Sequence, residues 1–336
     1  MGFFWLAKSR GRGPLLLILA VGGLARLVLL PSSLIQENDV YRYVLDGQVL
    51  MAAQNPYRLS PVATMARAPE PLKSRLKESS ARTTLSRIGY PYIPTVYPPV
   101  SQLAFAAGVW LSGWDWKGQR WVFTAVDLGV ISILILLLPL FAIPRPWVLL
   151  YAWNPLVLKE VTNSAHVDVL VTFFVLLLLF SLHKYLARGS GLWLALGAMA
   201  LGMAFLSKIY PLLLLPAVAL CVWRFSGKML PVVGFVAGTC LVGIVGFLPF
   251  LSVGLAQLTE GLRAYVGQWK MNEGLFVLIQ GVLPSPFPWY ALPLAGLLVL
   301  RPREKGISSA LVVLSGSVGL YYLSFFYEYH DYQPLW

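Results

Sequence analysis

Acidic, cationic and aromatic side chains of this chain gather in short segments at the edges of long apolar runs, where they could serve acid–base and anion-binding chemistry. The first segment is Glu37-Asn38-Asp39, followed by Tyr41-Arg42-Tyr43 and Asp46-Gly47. It places two carboxylates within one turn of a helix. At a semi-enclosed apolar boundary the charged form of a carboxylate is disfavoured, which suits a general base; facing water, the same acids would only cap a helix. Arg42 adds an anion-binding cation. The second segment runs from Lys159-Glu160 to Asn163-Ser164-Ala165-His166-Val167-Asp168. Asn163 or Ser164 can cap the next helix, and a helix N-terminus carrying His166 beside Asp168 favours an anion such as phosphate. In the third, Ser207-Lys208-Ile209-Tyr210-Pro211, a tight turn holds Lys208 at an interface, to snorkel or to bind phosphate. The fourth, Trp269-Lys270-Met271-Asn272-Glu273, again joins cation, amide and aromatic. Asn55-Pro56-Tyr57 and Tyr97-Pro98-Pro99 read as turn and helix-start chemistry, with aromatics available to a substrate. Cys221 and Cys240 lie inside apolar runs, without a disulfide framework or metal-ligand spacing.

The elements that must carry these groups are membrane helices. A mean hydropathy of +0.71, with 58% hydrophobic and 12% charged residues, leaves too little polar surface to cover a water-soluble globule. Apolar runs of roughly the length that crosses a ~30 Å hydrocarbon core recur, and the alternation of a β-barrel is absent. The fold class is therefore all-α, a polytopic helical membrane protein. The net charge of +12 sits largely in short loops, where orientation and anionic lipid account for it; nucleic acid is not expected as a partner. Lys8, Arg10 and Arg12 precede an apolar run that carries Arg26 and lacks a small-x-small cleavage site, so residues 14–30 read as a retained first helix rather than a signal peptide.

Nine spans are predicted: 14–30, 119–141, 146–158, 167–183, 190–207, 209–223, 230–250, 286–300 and 307–326. If Val100 to Leu111 also crossed, three basic clusters would land opposite the basic N-terminus, against the positive-inside rule; it is read as lying along the interface. The N-terminus is then cytoplasmic, and of the 14 acidic residues all but Asp127 and Glu304 fall in outer segments or at outer helix ends. The whole of 1–336 reads as one integral membrane domain. Its long first outer loop, 31–118, carries interfacial helices, with an amphipathic helix or lid over Arg67 to Arg87. A second large outer loop covers 251–285. Arg26 and Asp127, toward the outer ends of their helices, are expected to pair.

In order along the chain, Glu37-x-Asp39 with Tyr41-Arg42-Tyr43-x-x-Asp46-Gly47, Asn55-Pro56-Tyr57, Tyr97-Pro98-Pro99, Trp153-Asn154-Pro155 with Glu160, Asn163-x-x-His166-x-Asp168 and Lys208-x-x-Pro211 resemble the GT-C superfamily of polyprenyl-phosphate-sugar-dependent glycosyltransferases, nearest its mannosyltransferase-like branch. The resemblance covers roughly 14–300. It implies transfer of a sugar, mannose or another hexose, from a polyprenyl-phosphate donor to a lipid or glycan acceptor at the extracytoplasmic face. It further implies Asp39 as general base with Glu37 as its understudy, and Lys208, His166, Arg42 and Lys270 around the donor phosphate. Tyr41, Tyr43, Asp46, Asn163, Asp168, Tyr210, Trp269 and Asn272 would line the substrate site. Attack of the acceptor hydroxyl opposite the leaving phosphate would invert the anomeric carbon. Relatives often carry Gly before the histidine, where Ala165 stands here. No literal Asp-x-Asp supports a divalent metal, so no cofactor is expected. A protein partner for acceptor recognition is left open. A secondary transporter, a lipid-linked glycan ligase or polymerase, and a non-catalytic subunit are the competing readings; the ionisable residues crowd outer helix ends rather than the bilayer midplane that a transporter would use. The membrane is taken as a bacterial plasma membrane because no eukaryotic retention signal is visible.

Overall fold

The computed structural model describes residues 12–35 and 38–268. Contacts divide the chain into residues 1–264 and 265–336, and the fold described here is that of the first unit. Among the described residues the only regular secondary structure is helical. The expected spans 286–300 and 307–326, and most of the loop 251–285, lie outside the described residues.

Helix α1 spans Arg12–Leu29. The outer segment that follows carries α2 (Asp39–Met51), the short α3 (Pro61–Arg67), α4 (Leu72–Leu76) and α5 (Ser79–Leu85), and then α6 (Pro99–Ser112). Helix α7 (Lys117–Leu137) leads into residues 145–163, where a 3-10 turn, α8 (Leu149–Ala152), α9 (Pro155–Val157) and a π-helical turn (Leu158–Asn163) follow one another. Then come α10 (Asp168–Arg188), α11 (Gly191–Ser207), α12 (Leu215–Ser226), α13 (Met229–Phe247), α14 (Gly254–Leu258) and α15 (Glu260–Gln268).

Among the described residues, four helical stretches are long and apolar enough to cross a membrane: Arg12–Leu29, Lys117–Phe141, Asp168–Arg188 and Met229–Ala264. They match the expected spans 14–30, 119–141, 167–183 and 230–250. Gly191–Ser207 and Tyr210–Ser226, where 190–207 and 209–223 were expected, are apolar but shorter. Leu24, Leu27, Val28, Leu230, Leu241 and Ile244 face outward with more than half their surface exposed, as side chains do when lipid rather than water surrounds the bundle. Arg26, Arg120, Asp127 and Asn163 lie inside it.

The predicted span 146–158 is not one helix. Pro155 has no N–H, and the Leu156 N–H bonds the Asn154 side-chain oxygen at 2.9 Å, so the helical ladder breaks and the Ala152 carbonyl loses its partner. Arg26 Nη1 supplies one at 2.8 Å while Arg26 Nε pairs with Asp127, and the Trp153 indole donates to Ile18 O at 2.8 Å. Irregular backbone inside a membrane is tolerated where protein groups satisfy it in this way.

Helix α6 has fourteen residues, a length of about 21 Å. It is wedged among α2, α7 and α11, with Phe105 fully buried. Close approach depends on glycine: a Cβ on Gly47 of α2 would meet Phe105 O at 2.5 Å. Over Arg67 to Arg87 there is no single amphipathic helix. Pro71 and the break at Lys77–Glu78 divide the stretch into α4 and α5, and Leu72 and Ala81 are buried in the same core cluster as α2 and α6.

Candidate active site

Asp39 opens α2, where the N-terminal end of a helix favours a carboxylate. Tyr97 O–H donates to its Oδ2 at 3.3 Å. Tyr97 is held by an edge-to-face contact with Tyr43, ring centroids 5.1 Å apart, and by a side-chain hydrogen bond with Tyr43. Tyr43 is in turn stacked on Phe105 at 4.3 Å. Burial first, then the Asp39 charge, pushes the Tyr97 phenol well above its ordinary range; it stays protonated and serves as a donor. Its carbonyl accepts from Tyr57 O–H at 2.8 Å and from Gln102 at 3.2 Å, so the turn Tyr97-Pro98-Pro99 is fixed from both sides.

Across the site, the π-helical turn brings the Ser164 N–H onto Lys159 O and the His166 N–H onto Glu160 O. Ala165 between them takes φ +58°, a left-handed conformation that costs a residue with a Cβ roughly 1–2 kcal/mol and that glycine adopts freely. π-Turns and strained backbone concentrate at functional sites. The turn aims a chain of alternating charges. Lys159 Nζ lies 3.1 Å from Glu160 Oε1, and His166 Nε2 lies 3.2 Å from Glu160 Oε2. His166 Nδ1 is 3.9 Å from Asp168 Oδ2, and Lys208 Nζ reaches both Asp168 oxygens at 2.7 Å. Ser101 Oγ donates to Ser207 O at 2.7 Å and docks the end of α11, next to Lys208, on α6, four residues beyond Tyr97. The Asp39 charge acts on the Tyr97 phenol most strongly, that of Arg42 less and that of Asp168 least, so the exit segment and the His166 segment lie within electrostatic range of one tyrosine.

Several expected site residues are committed elsewhere. Arg42, anticipated at the donor phosphate, is buried; its Nε bonds Asp46 Oδ1 and its Nη1 bonds Ile93 O, each at 2.9 Å. Asp46, anticipated as lining, receives that bond and is itself buried. Tyr41 is buried with its hydroxyl bound by Arg87 Nη1 at 2.7 Å. Asn163 is fully buried and caps nothing in the next helix: its Oδ1 accepts from Ile35 N–H at 2.9 Å and its Nδ2 donates to Ser32 Oγ and Ser33 O. Neither Asn163 nor Ser164 caps α10, whose N-cap is Val167. Lys208 and Asp168, anticipated in separate roles, form one ion pair. Tyr210 stays partly exposed beside them. Glu37, Trp269, Lys270 and Asn272 lie outside the described residues.

Arg120 was not anticipated. Fully buried, it donates from Nε to Asn163 O at 2.6 Å and from Nη1 to Leu30 O at 2.8 Å and Ser32 O at 2.5 Å. One signal in the sequence could have found it: an arginine inside the outer end of a span lies where the positive-inside rule does not ask for one.

Beside the Ser101–Ser207 contact runs an apolar groove of ≈ 820 Å³, lined by Val100, Leu103, Met203, Leu206 and Val242 and by Asn55, which donates to Phe250 O at 2.9 Å. Leu206 puts the wall two residues from Lys208. Among the described residues no three His, Cys, Asp or Glu side chains are grouped to hold a metal ion. Comparison with family models, curated proteins and solved structures finds no match.

Proposed function

We propose that this membrane protein is a glycosyltransferase of the GT-C kind, with nine spans and a cytoplasmic N-terminus in a bacterial plasma membrane. It would move mannose or another hexose from a polyprenyl-phosphate donor to a lipid or glycan hydroxyl at the extracytoplasmic face. The observation that carries this reading is an Asp39 carboxylate held by Tyr97 O–H, with the ion-paired cluster of His166, Asp168 and Lys208 docked through Ser207 onto Ser101 of the helix that follows Tyr97. A base on one side and cations on the other is what displacement at an anomeric carbon requires. The adjoining apolar groove suits an isoprenoid chain whose phosphate sits near Lys208.

In the reaction so proposed, the acceptor hydroxyl oxygen attacks the anomeric carbon while Asp39 takes its proton. The bond from that carbon to the phosphate oxygen breaks, and the electron pair leaves with the polyprenyl phosphate. Lys208 and His166 stabilise the departing charge. Tyr97, protonated throughout, orients the Asp39 carboxylate. Lys208 and Arg42 are both paired with an acid, but Lys208 keeps 31% of its side chain exposed whereas Arg42 is buried against Asp46 and Ile93 O, so Arg42 is given no part.

The test is transfer from radiolabelled polyprenyl-phosphate sugars by purified protein in bilayers, with Asp39→Asn alongside. A loss of about 10²–10⁴-fold, the scale of a general base, with donor binding retained, is the expected outcome. Wild-type turnover by Asp39→Asn would remove Asp39 from that role, and no transfer from any donor by folded wild-type protein would count against the activity.

A further inference from the structure

The segments that carry Asp39 and His166 belong to different parts of the chain, yet one buried side chain grips both. Arg120, at the outer end of α7, binds Leu30 O and Ser32 O in the strand of backbone leading to Asp39. The same guanidinium binds Asn163 O, the last carbonyl of the π-helical turn leading to His166. It lies over the Trp116 ring, 4.3 Å from its centroid, which holds the guanidinium plane in one orientation. Asn163 completes the tie from the other side, its amide bonding Ile35 N–H, Ser33 O at 2.7 Å and Ser32 Oγ at 2.9 Å. Residues 30–35 lie beyond the end of α1; apart from the bonds of Leu30 N–H to Arg26 O and Ser32 N–H to Leu29 O, these side-chain bonds fix their path.

We propose that Arg120, acting with Asn163, is the positioning residue that sets the distance and angle between the Asp39 carboxylate and the His166–Asp168–Lys208 cluster. Arg120 touches no substrate in this assignment. It registers two pieces of backbone against a membrane helix, and each piece then presents its functional group three to nine residues further on. A planar fork of donors is needed because carbonyls from both segments must be held at once; a lysine ammonium keeps the charge without the fork. For its kinetic consequence the proposal rests on the glycosyltransferase reading, whereas its structural consequence can be measured without it.

The experiment pairs hydrogen exchange with kinetics on full-length protein in bilayers, comparing wild type, Arg120→Gln, Arg120→Lys and Asn163→Ala. In Arg120→Gln, amides of residues 30–41 and 158–168 exchange about tenfold faster or more, while those of 191–207 and 229–247 keep their wild-type rates, as expected when one local unit is released. Because a misplacement of about 1 Å can cost ~10²-fold in rate, kcat falls at least about tenfold, while the KM for polyprenyl-phosphate sugar stays within about threefold. Arg120→Lys recovers part of kcat, an ordering that general destabilisation would not produce. If Arg120→Gln does not fold, Asn163→Ala, which leaves the arginine in place, gives the same local exchange pattern. Wild-type exchange over 30–41 in both folded variants would overturn the proposal, as would raised exchange with unchanged kcat. If the wild type transfers no sugar from any donor, the glycosyltransferase reading fails by itself and the exchange pattern decides the tie.

Discussion

At the scale of single residues, the site is organised by groups that do no chemistry of their own. Tyr97 illustrates this. Its hydroxyl reaches Asp39, its ring is fixed by Tyr43, and its carbonyl is bound by Tyr57. Both Tyr97 and Tyr57 have phenols raised well above 10.0, burial being the main cause. In the unfolded chain each would ionise near pH 10, whereas folded each keeps its proton, so the unfolded state binds fewer protons above that pH and stability falls as pH rises. Thermal unfolding should therefore shift to lower temperature above pH ~10, less steeply in Tyr97→Phe; equal slopes would mean that Tyr97 is not buried as described. Identity and role were legible to different degrees here. Asp39, His166 and Lys208 stand out in sequence because charges at the edges of apolar runs are costly and noticeable. The duties of Asn163 and Arg42 were not legible, since an amide near a helix start and an arginine near an acid look like a cap and an anion site until partners 128 and 51 residues distant are known.

At the scale of elements, uninterrupted apolar runs announced their helices to within a few residues, because length and hydropathy alone determine whether a segment can cross a bilayer. Residues 146–158 were read as one span because hydropathy is blind to a missing N–H and to a π-turn. The outer helices were hardest. Short pieces such as α4 and α5 owe their positions to burial against α2 rather than to any period of their own. Helix α6, expected along the interface, packs one face against α2 and α7 through glycines that no hydropathy window registers, while Leu103 and Trp110 stay exposed on the other. Gly47 tests this directly. Gly47→Val, which forces a side chain onto Phe105 O, should cost about 1–3 kcal/mol as overpacking does, read as a lowered unfolding temperature. Gly234→Ala in α13, with nothing within 4 Å of the added Cβ, should be neutral or stabilising by up to ~1 kcal/mol, because alanine is the better helix former. Similar losses from both would refute the close α2–α6 packing.

At the scale of the whole molecule, the proposed orientation makes a claim independent of activity. Single cysteines introduced at Asp115, before α7, and at Leu186, near the end of α10, should react with impermeant reagent from opposite sides of sealed vesicles, because α7, the broken segment and α10 make three crossings between them. Labelling from one side would break the nine-span scheme. A broken crossing has a further consequence through Arg26. Its guanidinium is satisfied by Asp127 and by Ala152 O, partners 101 and 126 residues later in the chain. An unpaired arginine costs a membrane helix ~2.5–3.5 kcal/mol at its centre by insertion scales. During synthesis α1 therefore emerges long before anything that can neutralise it. In the nine-span reading it would wait at the insertion machinery or snorkel at the surface until the helix carrying Asp127 and the broken segment carrying Ala152 arrive, which ties the birth order of the chain to the same hydrogen bonds that later hold that segment together.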